Sequence, residues 1–338
     1  MTVYEPGYLK LLKSGELLHR VEALEQMLSA CNICPKDCGN NRLEDEIAAC
    51  YSGRLPIVSS YTAHFGEEPC LSGSAGAGNI FFGNCNLRCV YCQNYQISQT
   101  WKTQKKNEIT HERLAEIMLE LQSRGCHNIG FVSPTHFVPQ MARAIFIAAR
   151  NGLRIPIVYN TNAYDSVDVL RLLEGIIDIY LPDLKYADSD AGFQFSKVRD
   201  YTFFARSAIK EMHRQMGPGL LIDENGLLKR GLLIRLLVLP NEIAGIDESL
   251  WWIREELGPQ TAISLMAQYY ATNRAESDPR YILLSRRIST GEWCDAVTML
   301  EELGFEEGFV QEYESASFYY RPDFTNTEKP FKDIRDFQ

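Results

Sequence analysis

From about residue 78 the chain alternates short apolar runs with amphipathic ones, and that rhythm limits the fold more than any other feature. The apolar runs are "NIFFG" (79–83), "HNIGFVSP", "RIPIVYNT", "IIDIYLPDLKY", "LLIRLLVLP" and "AISLMAQYY". Near-continuous apolar runs of this length suit parallel strands covered on both faces, and the amphipathic stretches between them suit crossover helices. The first of these, "THERLAEIMLELQSRG", sets Leu114, Ile117, Met118 and Leu121 on one helical face, with Thr110 as N-cap and Gly125 at the stop. Helices are also expected in "FVPQMARAIFIAARNG", "SVDVLRLLEG", the stretch 188–216 and "DESLWWIREELG". "LLIDENGLLKRG" reads as a small hairpin turned at Asn225-Gly226. The expected fold class is α/β: six strands joined by five helical crossovers, enough for an open, partial (β/α)6 barrel and short of eight units.

Two flanks stand outside the alternation. Residues 1–76 form a cysteine-rich N-terminal extension, loop-like after an initial helix; 77–270 carry the barrel; 271–338 form a C-terminal extension capping it. The last begins with a helix opened by the capping box Ser289-x-x-Glu292 and ends in the aromatic tail "ESASFYYRPDFTNTEKPF". With 338 residues, 45% hydrophobic and 23% charged, the chain can bury a large core and is not a disordered polymer. A formal charge of −10 argues against a nucleic-acid partner. No run of about 18 apolar residues argues for a membrane span. The start lacks the basic-then-apolar order of a signal peptide, so a cytoplasmic location is expected.

Seven of the ten cysteines fall into two tight groups, the usual arrangement of metal thiolates in a reducing compartment. "CNLRCVYCQN" gives Cys85, Cys89 and Cys92, spaced C-x3-C-x2-C, directly after the first apolar run. Three thiols on one turn reach three corners of a cubic [4Fe–4S] cluster and leave one iron open to a small molecule. The alternative, a zinc knuckle, requires a distant fourth ligand. "CNICPKDCGNNRLEDEIAAC" supplies Cys31, Cys34, Cys38 and Cys50. Four donors close a site, so either a second [4Fe–4S] cluster or a structural zinc is expected, unless Cys50 is only a buried thiol. Cys70, Cys126 and Cys294 stand singly and read as small core residues.

A C-x3-C-x2-C turn after the first strand of a β/α series, with Tyr91 just before the last cysteine, resembles the radical S-adenosylmethionine (SAM) superfamily. Further segments, "HFGEEPCLSG", "VSPTHFVPQ", "IVYNTNAY", "DIYLPDLKY" and "MAQYY", make the chain similar to the activating enzymes of pyruvate formate-lyase, in a branch with extra N-terminal cysteines. The resemblance implies that SAM chelates the open iron. One electron, from a donor such as flavodoxin or ferredoxin, then cleaves the sulfonium to methionine and a 5′-deoxyadenosyl radical, which abstracts hydrogen from substrate.

By the same resemblance Cys85, Cys89 and Cys92 are the catalytic thiols, and Tyr91 and Asn94 approach SAM. Ser133, Thr135 and His136 stand where the wider superfamily has a Gly-Gly-Glu turn that grips the SAM amino group. Asn160 and Asn162 suit ribose hydroxyls, Asp183 and Lys185 bracket SAM or substrate, and Arg235 and Gln268 end later strands. Structural readings remain beside these: an ordinary Asp183–Lys185 ion pair, His136 as a helix cap, Arg235 as a bridge between carboxylates, and His64, Glu67 and Glu68 on a solvated loop. The substrate implied is a protein or peptide, as in glycyl-radical activation. The alternative is C-methylation of a protein side chain, with cobalamin enclosed by the aromatic tail although no cobalamin motif is present.

Overall fold

The strands expected from the apolar runs pair in chain order, with additions at both edges. A computed structural model describes residues 4–315, 322–326 and 330–331. Its sheet contains β1 (Val58–His64), β2 (Ala77–Phe82), β3 (Ile129–Val132), β4 (Ile157–Thr161), β5 (Ile179–Pro182), β6 (Leu220–Ile222), β7 (Leu228–Leu237), β8 (Ala262–Met266) and β9 (Gly308–Val310). The order is β1-β2-β3-β4-β5-β7-β8-β9, with β6 paired to β7 as the expected hairpin. All pairings from β2 to β9 along this path are parallel, whereas β1 joins β2 antiparallel. Among the described residues β1 and β9 do not pair with each other, so the barrel stays open.

Local chemistry accounts for the element ends. The Thr110 hydroxyl accepts from the Arg113 N–H at 3.1 Å and opens helix His111–Ser123, which Gly125 terminates at φ +89°. Ser289 and Glu292 form the reciprocal capping box of helix Thr290–Glu302. Asp223 accepts from the Asn225 and Leu227 N–H groups, and Gly226 takes the φ +76° that the hairpin turn requires. The crossover helices Val138–Arg150, Val167–Leu173 and Ile246–Leu257 bury their apolar stripes with the strand side chains in one core.

The structure departs from the sequence expectations at three places. Segment 58–64 is a strand, although 1–76 reads as loop after its helix; β9 lies in the C-terminal extension yet extends the parallel sheet. The stretch 188–216 breaks into helices Ser189–Ser196 and Tyr201–Met216, with Lys197 and Asp200 in the left-handed conformation between them. Of the tail, residues 316–321, 327–329 and 332–338 lie outside the described residues. No helix among the described residues is long and apolar enough to cross a membrane.

Candidate active site

The carboxyl ends of the parallel strands surround one cavity of about 840 Å³, and all three thiols of the C-x3-C-x2-C turn line it. The broken helix explains how the turn is held. Ending at Ser196 frees the last carbonyls of that helix; Ser196 O accepts from the Arg88 N–H at 3.0 Å, and Phe195 O accepts from the Val90 N–H at 2.8 Å. Each sulfur also has a polar neighbour. The Ser196 hydroxyl donates to Cys89 Sγ at 3.0 Å, the Leu87 N–H and Asn162 Nδ2 reach Cys85 Sγ at 3.4 and 3.6 Å, and Ser98 Oγ lies 3.2 Å from Cys92 Sγ. Donors aimed at sulfur stabilise a thiolate, which has lone pairs and no proton. Without a cation, burial pushes the Cys89 thiol up and the Cys92 thiol up to about 12, so ligation of a positive centre is what would ionise them.

Tyr91, Gln93, Asn94, Ser133, Asn160, Asn162, Asp183, Lys185, Arg235 and Gln268 all border the cavity. Ser133 holds φ +55° and Ala163, just beyond Asn162, φ +63°. Such left-handed conformations are costly for residues with a Cβ and cluster where strand ends are shaped for function. Asn162 is partly committed: its Nδ2 donates to Asn86 Oδ1 at 2.8 Å, and its Oδ1 accepts from the Tyr164 N–H at 3.0 Å, which ties β4 to the cysteine turn. Lys185 pairs with Asp183 at 2.7 Å. Burial opposes the Lys185 charge, but Asp183 and Cys89 more than offset it and hold the ammonium protonated.

Arg235 is held by two carboxylates. Its guanidinium donates to both oxygens of Glu68, at 2.8 and 2.7 Å, and also to Glu67. Glu67 takes a further bond from Asn79 Nδ2 at 2.7 Å. Burial alone would raise Glu67, yet Arg235 and its other partners hold it below the usual carboxylate range. His64 and Glu67, partly buried, and Glu68, buried, therefore form a wall of the cavity and not the solvated loop expected from sequence.

Two residues assigned to SAM do not reach the cavity. After Ser133 the chain turns through a short 3-10 segment, Thr135–Phe137, which points both side chains away from the cavity. Thr135 Oγ1 bonds Thr161 Oγ1 at 3.1 Å, and His136 Nε2 sits 2.9 Å from Gly83 O with the ring buried. Burial pushes that imidazole down to about 3, so it is neutral.

His136 lines a different, smaller cavity, together with Cys31, Cys34, Cys38 and Cys50. Burial raises the Cys34 thiol to about 12; of its fellow thiols Cys50 acts on it most strongly and Cys38, which is exposed, least. Arg42, wholly buried, fastens this segment to the 3-10 turn by donating to His136 O at 2.7 Å and Gly53 O at 2.9 Å. Arg88 joins the two cysteine groups, donating to Cys85 O and Leu87 O on one side and to Ala49 O, at 2.7 Å, on the other. Among the described residues no three His, Cys, Asp or Glu side chains converge closely enough to hold a single metal ion.

Residues 79–221 match the sequence model of the Radical SAM superfamily. An uncharacterized protein of Methanocaldococcus jannaschii is 29% identical over 304 residues, covering 88% of this chain and 82% of its own length. A second uncharacterized protein of the same organism is 24% identical over 259 residues, 72% of this chain and 71% of its own. Among solved structures, TYW1 with a lysine-pyruvate adduct bound aligns over 66% of this chain and 73% of its own at 12% identity and TM-score 0.37. HydG, a maturase of the [FeFe]-hydrogenase, aligns over 89% of this chain and 65% of its own at 14% identity and TM-score 0.45.

Proposed function

We propose that this chain, whose residues 79–221 match the Radical SAM superfamily model, is a radical SAM enzyme that abstracts hydrogen from a protein or peptide substrate, in the manner of enzymes that activate glycyl-radical enzymes. The family implies a [4Fe–4S] cluster and SAM, and the donor set fits both. Cys85, Cys89 and Cys92 present soft sulfur on one turn, each beside a hydrogen-bonding neighbour. The cavity they line has the size and the mixed polar rim of a small-molecule site. Bound there, cluster and SAM supply reductive cleavage of the sulfonium and a carbon radical able to take hydrogen from an unactivated C–H bond.

The chain's own residues position and shield. Ser196, Leu87 and Asn162 keep the thiolate turn in one conformation by bonding its sulfurs and backbone. Ser133 and Asn94, both in the cavity lining, are the polar groups suited to the SAM amino group, and Asn160 to its ribose hydroxyls. The Asp183–Lys185 pair offers both a carboxylate and an ammonium to a zwitterionic ligand. Tyr91, packed edge-on against Tyr186 and Tyr269, keeps water from one side of the turn.

The observation that carries the reading is that three thiols sit in the wall of one large cavity whose rim is polar at every strand end. The unpaired edges β1 and β9 leave a lateral mouth, bordered by Phe65, Phe309 and Val310, which suits an extended peptide. The required electron would come from a donor such as flavodoxin or ferredoxin. A second reading, methylation of a protein side chain with cobalamin, is favoured by one feature: Pro322, Pro330 and Phe331 of the tail also line the cavity, with Phe331 packed 4.1 Å from the His64 ring. Anaerobic protein reconstituted with iron and sulfide, then given dithionite and SAM, should release 5′-deoxyadenosine, and Cys85→Ala should release none. Equal release from both proteins would reject the role of this turn. Corrinoid absorbance in the purified protein would move the assignment to the second reading.

A further inference from the structure

The four N-terminal thiols have a fifth donor beside them. Cys31, Cys34, Cys38, Cys50 and His136 line the same cavity, although His136 is 86 residues from the nearest of these cysteines in sequence. The hydrogen bond at the other edge of the ring fixes its tautomer. Gly83 O is a carbonyl and only accepts, so Nε2, 2.9 Å away, carries the ring proton. Nδ1 is then a bare lone pair. It is buried and has no hydrogen-bond partner among the described residues. An orphaned buried acceptor is costly, and thiolates around a cation have no proton to give it. A histidine whose remote N–H is anchored on a backbone carbonyl while the other nitrogen stays free is arranged as metal-ligating histidines are.

We propose that His136 is a metal ligand through Nδ1 and forms, with Cys31, Cys34 and Cys50, a four-donor thiolate–imidazole centre for an iron–sulfur cluster, whose separate irons take donors that lie too far apart for a single ion. Cys38 is the thiol left over, because it is the exposed one of the four. Imidazole replaces thiolate on iron in some clusters. The His136 peptide carbonyl, held by Arg42 at 2.7 Å, ties the ligand to the same segment that carries the thiols. The centre would thereby be built from two parts of the chain and would lock the N-terminal extension onto the turn after β3.

The test uses the full-length protein with Cys85→Ala, Cys89→Ala and Cys92→Ala, so that the N-terminal group is the remaining cysteine cluster. It is loaded anaerobically either with ferrous iron and sulfide or with Zn²⁺ alone; iron and sulfide should be retained after gel filtration, and retention of zinc alone would overturn the proposal. For iron, pulsed EPR of the reduced centre should show a directly bonded nitrogen whose coupling changes on 15N-histidine labelling. His136→Gln keeps an amide donor for Gly83 O but lacks Nδ1; it should lose the nitrogen signal and bind the metal at least about tenfold more weakly. Cys38→Ser should retain the metal. A nitrogen-free ligand shell, unchanged affinity in His136→Gln, metal loss in Cys38→Ser equal to that in His136→Gln, or retention of neither metal would overturn the proposal. Should His136→Gln fail to fold by circular dichroism, the nitrogen signal of the parent protein decides alone.

Discussion

Arg235 offers the sharpest test of how the cavity wall is built. Its side chain is 12% exposed, and those of Glu67 and Glu68 are 10% and 6%. Replacing it with methionine removes the one cation bonded to both carboxylates and leaves two like charges side by side in a poorly solvated wall. Breaking a buried ion pair by removing one partner costs about 3–5 kcal/mol, most of it from the stranded charge. Here two carboxylates lose their partner, although Asn79 Nδ2 still donates to Glu67. Arg235→Met should therefore lose about 4 kcal/mol in urea unfolding at pH 7. Adding Glu67→Gln and Glu68→Gln removes the stranded charges and should recover at least about half of that loss. A loss under about 1 kcal/mol, or no recovery in the triple variant, would refute the description of Arg235 as the central charge of a closed buried network.

Asp178, at the opposite end of the barrel, accepts from the Gly7 and Ile157 N–H groups at 2.9 Å and from the Tyr4 hydroxyl at 2.7 Å. Burial nevertheless raises its carboxyl from 3.8 to about 6. Between those values the folded chain holds a proton that the unfolded chain has lost, so this group's contribution to stability falls as pH rises through the window. Its contribution is about 3 kcal/mol, and Asp178→Asn should gain that much relative to the parent between pH 4 and 7; parallel stability curves would contradict it. Ser196→Ala removes the hydroxyl 3.0 Å from Cys89 Sγ. A hydrogen bond to a charged sulfur favours the more negative, reduced state, so the variant's cluster should titrate lower by roughly 40 mV for about 1 kcal/mol of lost bonding. An unchanged midpoint in an EPR-monitored redox titration would count against that contact.

What the sequence reveals and conceals follows from where each constraint originates. The six inner strands, the Thr110 and Ser289 caps and the Asn225-Gly226 turn are written in local patterns of apolar periodicity and capping chemistry. The three-thiol turn is equally local. The break after Ser196 is not, because Lys197 and Asp200 carry no glycine signal and adopt left-handed backbone only where the helix end meets the cysteine turn. β1 and β9 are short strands defined by the neighbours they pair with. Glu67 and Glu68 read as loop surface because the arginine that makes their burial tolerable lies 168 and 167 residues away. Thr135 and His136 stand in the right sequence position for a SAM contact but follow a left-handed Ser133, which turns their side chains away from the cavity. That same turn is what brings His136 to the N-terminal thiols.

The central claim is that Cys85, Cys89 and Cys92 hold a cluster with one iron free for the sulfonium ligand. Electron–nuclear double resonance on the reduced protein, with SAM labelled by 17O at the carboxylate and 15N at the amine, addresses it directly. Couplings from both labels, present in the parent and absent from Cys85→Ala, are the predicted result. A reduced cluster whose spectrum does not change on adding SAM would contradict the account.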